Sequence, residues 1–388
     1  MKPMVLVLTT TFPARPGDGI PPFVLDLCLE LSHDFDITVV TPRIPGAPAR
    51  QQLGSVSVER FAYFPRPFER LAFGATLANL RAQPWRIVEL TCLLVRFHWV
   101  ARRAIARLDP ALVHAHWLLP TGLHAVGLFG TRRPPVVITA HGVDVFAMAN
   151  PPLDRIRRFV IRRCHHLVAV SSEMAERLSA IEPTAPVEVV PMGANLAEIP
   201  AAFERAPEAG HIAFVGRLAE KKGVSTLLDA LALTPDLRLT IAGDGPDRSR
   251  LEAQVEGLRL GARVDLIGHA DRAQVYELLS RCEMLAIPSV VASDGDQEGT
   301  PVVLAEAVSL GVPVVASRLG GLADQLDDET GWLVDPGHAD QLAAALDEMH
   351  RSPVERERRA ANAKRDLSSV LSLERTAASY ATSYAEAL

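Results

Sequence analysis

Cysteine and lysine are both scarce in this chain. Its 388 residues include four cysteines, Cys28, Cys92, Cys164 and Cys282, far apart and with no CxxC pair. Neither a disulfide framework nor a zinc knuckle is expected, and a reducing cytoplasmic setting follows. Only four lysines stand among the 40 basic residues, so positive charge is carried by arginine. Aromatic residues make up 5% and charged residues 22%, beside 48% apolar, a balance that excludes a disordered chain and supports a large packed core. No GxxxxGK[ST] stretch occurs, which excludes a P-loop kinase. The longest run without formal charge, Ala111 to Thr131, contains three histidines and Pro120 and reads as strand, turn and helix rather than a membrane span. The opening MKPMVLVLTTTFP is broken by Pro13 and lacks a small-residue cleavage pattern, so it reads as a buried first strand and not an export signal.

A net charge of −6 argues against a surface that tracks nucleic acid, yet the figure hides an asymmetry. Residues 1–200 hold 21 Arg and Lys against 16 Asp and Glu, whereas residues 201–388 hold 19 against 30. One half is basic and the other acidic. Single cores stop growing at about 250–300 residues, so two domains are expected.

Short apolar runs alternate with helical patterns, the mark of βαβ units and parallel sheets buried on both faces. Strands are expected at 4–10, 37–42, 112–116, 136–141, 166–171 and 187–191, then at 211–216, 238–243, 264–268, 283–289 and 313–317. The fold class is α/β, with a Rossmann-like domain over 1–195, a linker at 196–210, where proline and alanine replace periodicity, and a second Rossmann-like domain over 211–371. Residues 372–388 form a final helix, N-capped by Ser372 with Leu373, Ala377 and Tyr380 on one face, expected to pack back on the first domain. Residues 60–107 carry nine arginines against Glu69 and Glu89, with Ile87, Leu90, Leu94, Phe97, Ala101 and Leu108 at helical spacing. A basic amphipathic helix results, either a domain helix with a solvated face or a contact for an anionic membrane surface or a lipid-phosphate acceptor. Arg155, Arg157, Arg158, Arg162 and Arg163 add a second basic cluster.

The segment DGDQEGTPVVLAEAVSLGVPVVAS, residues 294–317, concentrates chemistry. Thr300 reads as a helix N-cap and Pro301 as the first helical residue, which places Glu298 and Gly299 before free amides suited to an anion. Glu306, eight residues after Glu298, addresses another part of the same ligand. Amides for phosphate and carboxylates for hydroxyls fit a sugar diphosphate. In FVGRLAEKKGVSTLLDAL, residues 214–231, Arg217 and Lys222 read as a diphosphate clamp. Asp294-Gly295-Asp296 has the form of a metal-binding DxD, but the clamp already supplies positive charge, so no metal and no cofactor are expected. Gly243-Asp244-Gly245 imitates a dinucleotide fingerprint whose third glycine position holds Arg248. The histidines of His114-Ala115-His116 and His165-His166 read as structural residues rather than metal ligands.

Three blocks together resemble the signatures of retaining glycosyltransferases of family four, the glycogen-synthase-like group with the GT-B fold. They are Gly216, Arg217 and Leu218 with Lys222 and Gly223; Gly243 to Pro246; and Glu298 with Glu306. The GDxEGxP wording resembles exopolysaccharide transferases in particular. The resemblance implies that Arg217 and Lys222 bind the donor diphosphate, that Glu298 faces the transferred sugar and that Glu306 binds the ribose. It implies that His141, in a His-Gly pair after a strand, approaches the donor sugar, and that the loop of residues 17–20, with Gly19, lines the cleft. Gly268 and His269 are implied to meet the nucleobase, and Gly216, Gly299, Thr300 and Pro301 to line the donor site beside His141, Glu298, Arg217 and Lys222. Met192-Gly193-Ala194-Asn195 departs from the Asn-Gly-Val-Asp-like run of many members. The implied activity is transfer of a sugar from a nucleotide-diphosphate donor to a glycan or lipid-linked acceptor with retention of configuration. A same-fold hydrolase or phosphorylase, or a non-catalytic sugar-nucleotide-binding protein, stays open. Peripheral contact with an anionic membrane through the arginine-rich half, on its cytoplasmic face, is a further expectation.

Overall fold

A computed structural model describes residues 2–15, 20, 22–66, 68–69, 71–72, 80, 83–127, 134–147, 151–196, 199 and 204–388. The apolar runs become strands in two sheets. The first contains β1 (Met4–Leu8), β2 (Asp36–Pro42), β3 (Arg50–Leu53), β4 (Val56–Phe61), β5 (Leu112–His116), β6 (Val136–Ala140), β7 (His166–Ala169) and β8 (Val187–Val189). Their order is β3-β4-β2-β1-β5-β6-β7-β8. The second contains β9 (His211–Val215), β10 (Arg238–Ala242), β11 (Val264–Gly268), β12 (Met284–Ile287), β13 (Val314–Ser317) and β14 (Trp332–Val334), in the order β11-β10-β9-β12-β13-β14. Every pairing is parallel except that of β3 with β4. Central strands such as β5 and β6 are buried at every position, because helices cover both faces of a parallel sheet.

The β3–β4 hairpin and β14 are additions to the elements read from sequence. In β4, Val56 and Val58 point inward, but the next inward position is Arg60, which breaks the apolar alternation. Its guanidinium donates to the Pro13 carbonyl at 2.6 Å. That bond offsets part of the cost of burying a cation.

The helix Ile87–Leu108 corrects the expected inner face. It buries Glu89, Leu93, Phe97, Ala101 and Ala104, while Ile87 is 53% exposed. The face turns because the buried Glu89 carboxylate is satisfied: Arg86 donates to it at 2.7 Å and the Leu71 amide at 2.7 Å. Val88, Val95 and Trp99 are left facing solvent. Of the second arginine cluster only Arg157 lies inside the protein; Arg155, Arg158, Arg162 and Arg163 are exposed. Arg157 is fully buried and donates to the carbonyls of Asp144 at 2.9 Å and Ala147 at 3.2 Å. Arg162 pairs with Glu182 at 2.5 Å, and Arg163 stacks over Phe159 at 3.9 Å.

The helix Leu373–Ala387 returns to the first sheet. Ser372 caps it, accepting from the Arg375 amide at 3.2 Å, and Leu373, Ala377, Tyr380 and Tyr384 are buried. The two passages of the chain between the sheets lie side by side. The Ala194 amide donates to Leu371 at 3.0 Å and the Leu373 amide to Ala194 at 2.9 Å. A Cβ on Gly193 would collide with the Ser372 carbonyl, so the glycine that this run keeps from the family pattern has a packing reason, while the departures fall at Met192, Ala194 and Asn195. Beyond it, Leu196 and Ile199 already pack on the core under the second sheet.

Candidate functional site

The strands of the second sheet deliver a row of turns to one edge. Gly216 follows β9, Gly243 follows β10, Gly268 ends β11 and Pro288 follows β12. Gly243 donates to the Gly268 carbonyl at 2.7 Å, and a Cβ in its place would strike the Gly216 carbonyl. Gly223, at φ +67°, takes the left-handed conformation that glycine favours, and a Cβ there would strike the Pro288 carbonyl. These close approaches seat the 216–223 turn against the loop that follows β12.

That seat is fastened residue by residue. Glu220 accepts from the Ser293 amide at 3.0 Å and from its hydroxyl at 2.8 Å. Lys221 Nζ lies 3.0 Å from Asp296 Oδ2, and Lys222 forms an ion pair with Glu298. The Lys222 and Glu298 side chains keep 17% and 13% exposure. Burial pushes the Glu298 carboxyl up, but the charges of Lys222 and Lys221 hold it below the ordinary carboxylate value. Burial likewise presses Lys221 down, and Glu298 and Asp296 hold it above the usual ammonium value. Asp296 itself is pushed up by burial, against the pull of Lys221. Arg217, on the same turn, is exposed and has no carboxylate partner among the described residues.

Thr300 and Pro301 are corrected. The helix Val302–Leu310 starts after Pro301, which occupies the N-cap without a side-chain bond. Thr300 instead donates its hydroxyl to the Val170 carbonyl of the first domain at 2.7 Å. Glu306 is buried in that helix among Leu304, Ala305, Ala307 and Val308.

From the first sheet comes the turn after β6. Asp144 accepts from the amides of His141 at 3.1 Å, Gly142 at 3.0 Å and Leu118 at 2.6 Å, which shapes the turn. A Cβ on Gly142 would lie 3.1 Å from the Gln297 carbonyl, and one on Gly299 would lie 3.8 Å from the His141 carbonyl. His141, Glu298, Gly299 and Lys222 therefore meet at the seam of the two sheets, with Gly216 and Arg217 on the adjoining turn. Gly268 and the exposed His269 lie at the end of β11, with β10 and β9 between them and β12. Gly19 lies outside the described residues. Further bonds span the seam: Asp26 with Arg272 at 2.8 Å, and the Ser172 amide with Asp324 at 2.7 Å. Among the described residues no group of three or more His, Cys, Asp or Glu is placed to hold a metal ion.

His116, read from sequence as structural, belongs with this set. Its Nδ1 lies 2.9 Å from His141 Nε2, and Burial holds both rings well under the usual histidine value, His141 at about 3. The signal was the His-x-His of β5, the strand beside β6.

The architecture and the motifs agree with comparisons to known proteins. Residues 17–198 match the profile of Glycosyltransferase Family 4 and residues 197–366 that of Glycosyl transferases group 1. D-inositol 3-phosphate glycosyltransferase of Mycobacterium ulcerans is 30% identical over 74% of this chain and 67% of its own length. WcaL of Salmonella typhimurium, assigned as a colanic acid biosynthesis glycosyltransferase, is 29% identical over 68% of this chain, which spans 65% of that relative's length. Among solved structures, sucrose-phosphate synthase of Thermosynechococcus elongatus superposes with a TM-score of 0.79 at 21% identity, covering 100% of this chain and 99% of that one. Anabaena HepE, solved with UDP, superposes at 0.71 with 20% identity, covering 99% and 100%. Two parallel-sheet domains meeting at a seam lined by the Arg217–Lys222 turn and the Glu298–Glu306 segment, with both profiles in order along it, place this chain in glycosyltransferase family four with the GT-B fold.

Proposed function

We propose that the chain transfers a sugar from a nucleotide-diphosphate donor to a glycan or lipid-linked acceptor, with retention of configuration, in cell-surface polysaccharide or glycolipid biosynthesis. One observation carries the reading: Lys221 and Lys222 are paired with Asp296 and Glu298 at the place where the His141 turn closes against residues 297–299. Cleaving a sugar–phosphate bond places growing negative charge on the departing diphosphate and positive charge on the sugar. In the proposed reading Lys222 and Arg217 take the diphosphate, Glu298 is released toward the sugar, His141 approaches the sugar from the other side and Glu306 holds the ribose. Gly216, Gly299, Thr300 and Pro301 line the donor, and Gly268 and His269 meet the base. Three cations on one turn supply the charge that a metal would otherwise bring, so turnover is expected to survive a chelator. The departing phosphate deprotonates the acceptor on the face it leaves, which gives retention. HepE structures with UDP and UDP-glucose support a nucleotide-sugar donor.

The domains divide the work: 211–371 holds the donor, 1–195 the acceptor, 196–210 links them, and 372–388 packs on the first. The basic half rests on an anionic membrane surface through Trp85, Ile87, Val88, Val95 and Trp99, each 51–58% exposed, with Arg86 5.1 Å from the Trp85 ring. No helix among the described residues is long and apolar enough to cross a membrane.

A panel of UDP-, GDP- and ADP-sugars scored for thermal stabilisation tests the donor, since a ligand bound by the folded state alone raises the melting temperature. Anomeric analysis of the product with the selected donor tests retention. No stabilisation by any of the panel would overturn the reading, and nucleotide release that is indifferent to every acceptor would favour a hydrolase.

A further inference from the structure

We propose that His116 is a positioning residue for His141: from β5 it donates its Nδ1–H to His141 Nε2 and so fixes His141 as the tautomer protonated on Nδ1, a hydrogen-bond donor toward the cleft. The role given to that donor rests on the reading of His141 as a group facing the donor sugar; the tautomer does not.

The two rings are linked at 2.9 Å and lie near parallel, at 24°. Burial keeps both neutral, so each carries one proton and offers one donor and one acceptor. Two assignments are open, and the far side of His116 decides between them. His116 is fully buried, and its Nε2 has no hydrogen-bond partner among the described residues. If His141 were the donor, His116 would hold its own proton on Nε2, as a buried N–H with no acceptor. Orphaned buried N–H groups are rarer than under-satisfied acceptors, because the donor loses its water without gaining a partner. The opposite assignment leaves a bare lone pair at Nε2 and puts the proton in the hydrogen bond. His141 Nε2 is then the acceptor, its proton sits on Nδ1, and Nδ1 is the ring nitrogen left for a ligand.

His116 is held in place from behind. The His114 ring lies against it, tilted by 36° with centroids 4.2 Å apart, and both His114 nitrogens are engaged, Nδ1 by Tyr384 at 2.7 Å and Nε2 by Thr139 at 2.8 Å. Tyr380 reaches the same Thr139 hydroxyl at 2.8 Å. The last helix thus braces a column of rings that ends at the seam.

Nuclear magnetic resonance of protein carrying isotope-labelled histidine reads the tautomer without any ligand. His141 is expected as the Nδ1–H form in the parent protein, and finding it as the Nε2–H form overturns the proposal. His116→Asn keeps an N–H at the position of Nδ1, whereas His116→Phe keeps the ring and removes the donor. With the nucleotide sugar selected by the stabilisation panel, H116F is expected to lower kcat about tenfold or more with KM changed less than about twofold, because only orientation is lost. H116N is expected to recover most of that loss. Full activity in H116F, or equal losses in both variants, overturns the positioning role. His141→Ala separates the two readings: full turnover in H141A refutes the place of His141 at the sugar while leaving the tautomer result intact.

Discussion

Thr300 Oγ1 donates to the carbonyl of Val170 at 2.7 Å, so the segment bearing Glu298 is tied by a side chain to the opposite sheet. Thr300→Val keeps the shape and removes the donor, leaving a buried carbonyl unsatisfied at a cost of about 1–3 kcal/mol. Calorimetry is expected to show a lower melting temperature for T300V. An unchanged value would mean that the bond contributes nothing to holding the halves together.

Lys222 and Glu298 face each other where a diphosphate is proposed to enter, so the acid and the incoming anion compete for one cation. Lys222→Ala is expected to reduce turnover by on the order of 100-fold, in line with losing a cation at a developing negative charge. Glu298→Gln frees Lys222 and is expected to tighten binding of the nucleoside diphosphate while slowing transfer. Titration calorimetry checks the first effect, and weaker binding in E298Q would contradict competition.

Burial pushes His114, His124 and His141 down to about 3 and holds His116 well below the usual histidine value. In the unfolded chain each titrates near 6.5, so between the two values the unfolded state binds more protons, and folding stability rises with pH. Stability is fully present above about pH 6.5 and is lost as pH falls below it, by up to about 1.4 kcal/mol per pH unit for each histidine. Urea midpoints at about pH 7.5 and about pH 5.5 are expected to differ clearly, and His124→Phe to narrow the gap. Equal midpoints would refute neutral burial.

Gly243 sits where a Cβ would run into the Gly216 carbonyl, which is backbone and not the end of a flexible side chain that could yield. Gly243→Ala is expected to cost about 3 kcal/mol or more, read as a fall in melting temperature or soluble yield. A stable G243A protein would mean that the turns after β9 and β10 can separate freely.

Trp99 and Val95 project from the helix Ile87–Leu108 beside arginines, and sedimentation with vesicles tests what they meet. Binding is expected with anionic lipid, to weaken with salt and to fall in a Trp99→Ser, Val95→Ser double variant. No binding to anionic vesicles returns the stripe to an ordinary solvated face.

Much of the fold was legible because parallel strands advertise themselves. Leu112–His116 and Val264–Gly268 run as read, since short apolar stretches between turns have few other homes. The β3–β4 hairpin was hidden by an inward arginine, and β14 is only three residues long. Glu89 misdirected the helix face, for a buried carboxylate looks like a solvent residue until Arg86 and the Leu71 amide are seen around it. In the site, Lys222 and Glu298 could be singled out as candidates from type and spacing, though not their pairing with each other. Lys221 with Asp296, and His116 with His141, were not legible either, because each pairing depends on which loop or strand lies alongside.

Ala194 and Ser372 mark the place where the chain passes from one sheet to the other and where it comes back. Bonded to each other there, the two passages cannot slide past one another without breaking the bonds from Ala194 to Leu371 and Leu373. Parting the sheets at the seam would cost, besides, the bonds of Asp26 with Arg272, Ser172 with Asp324 and Thr300 with Val170, while this crossing could stay whole.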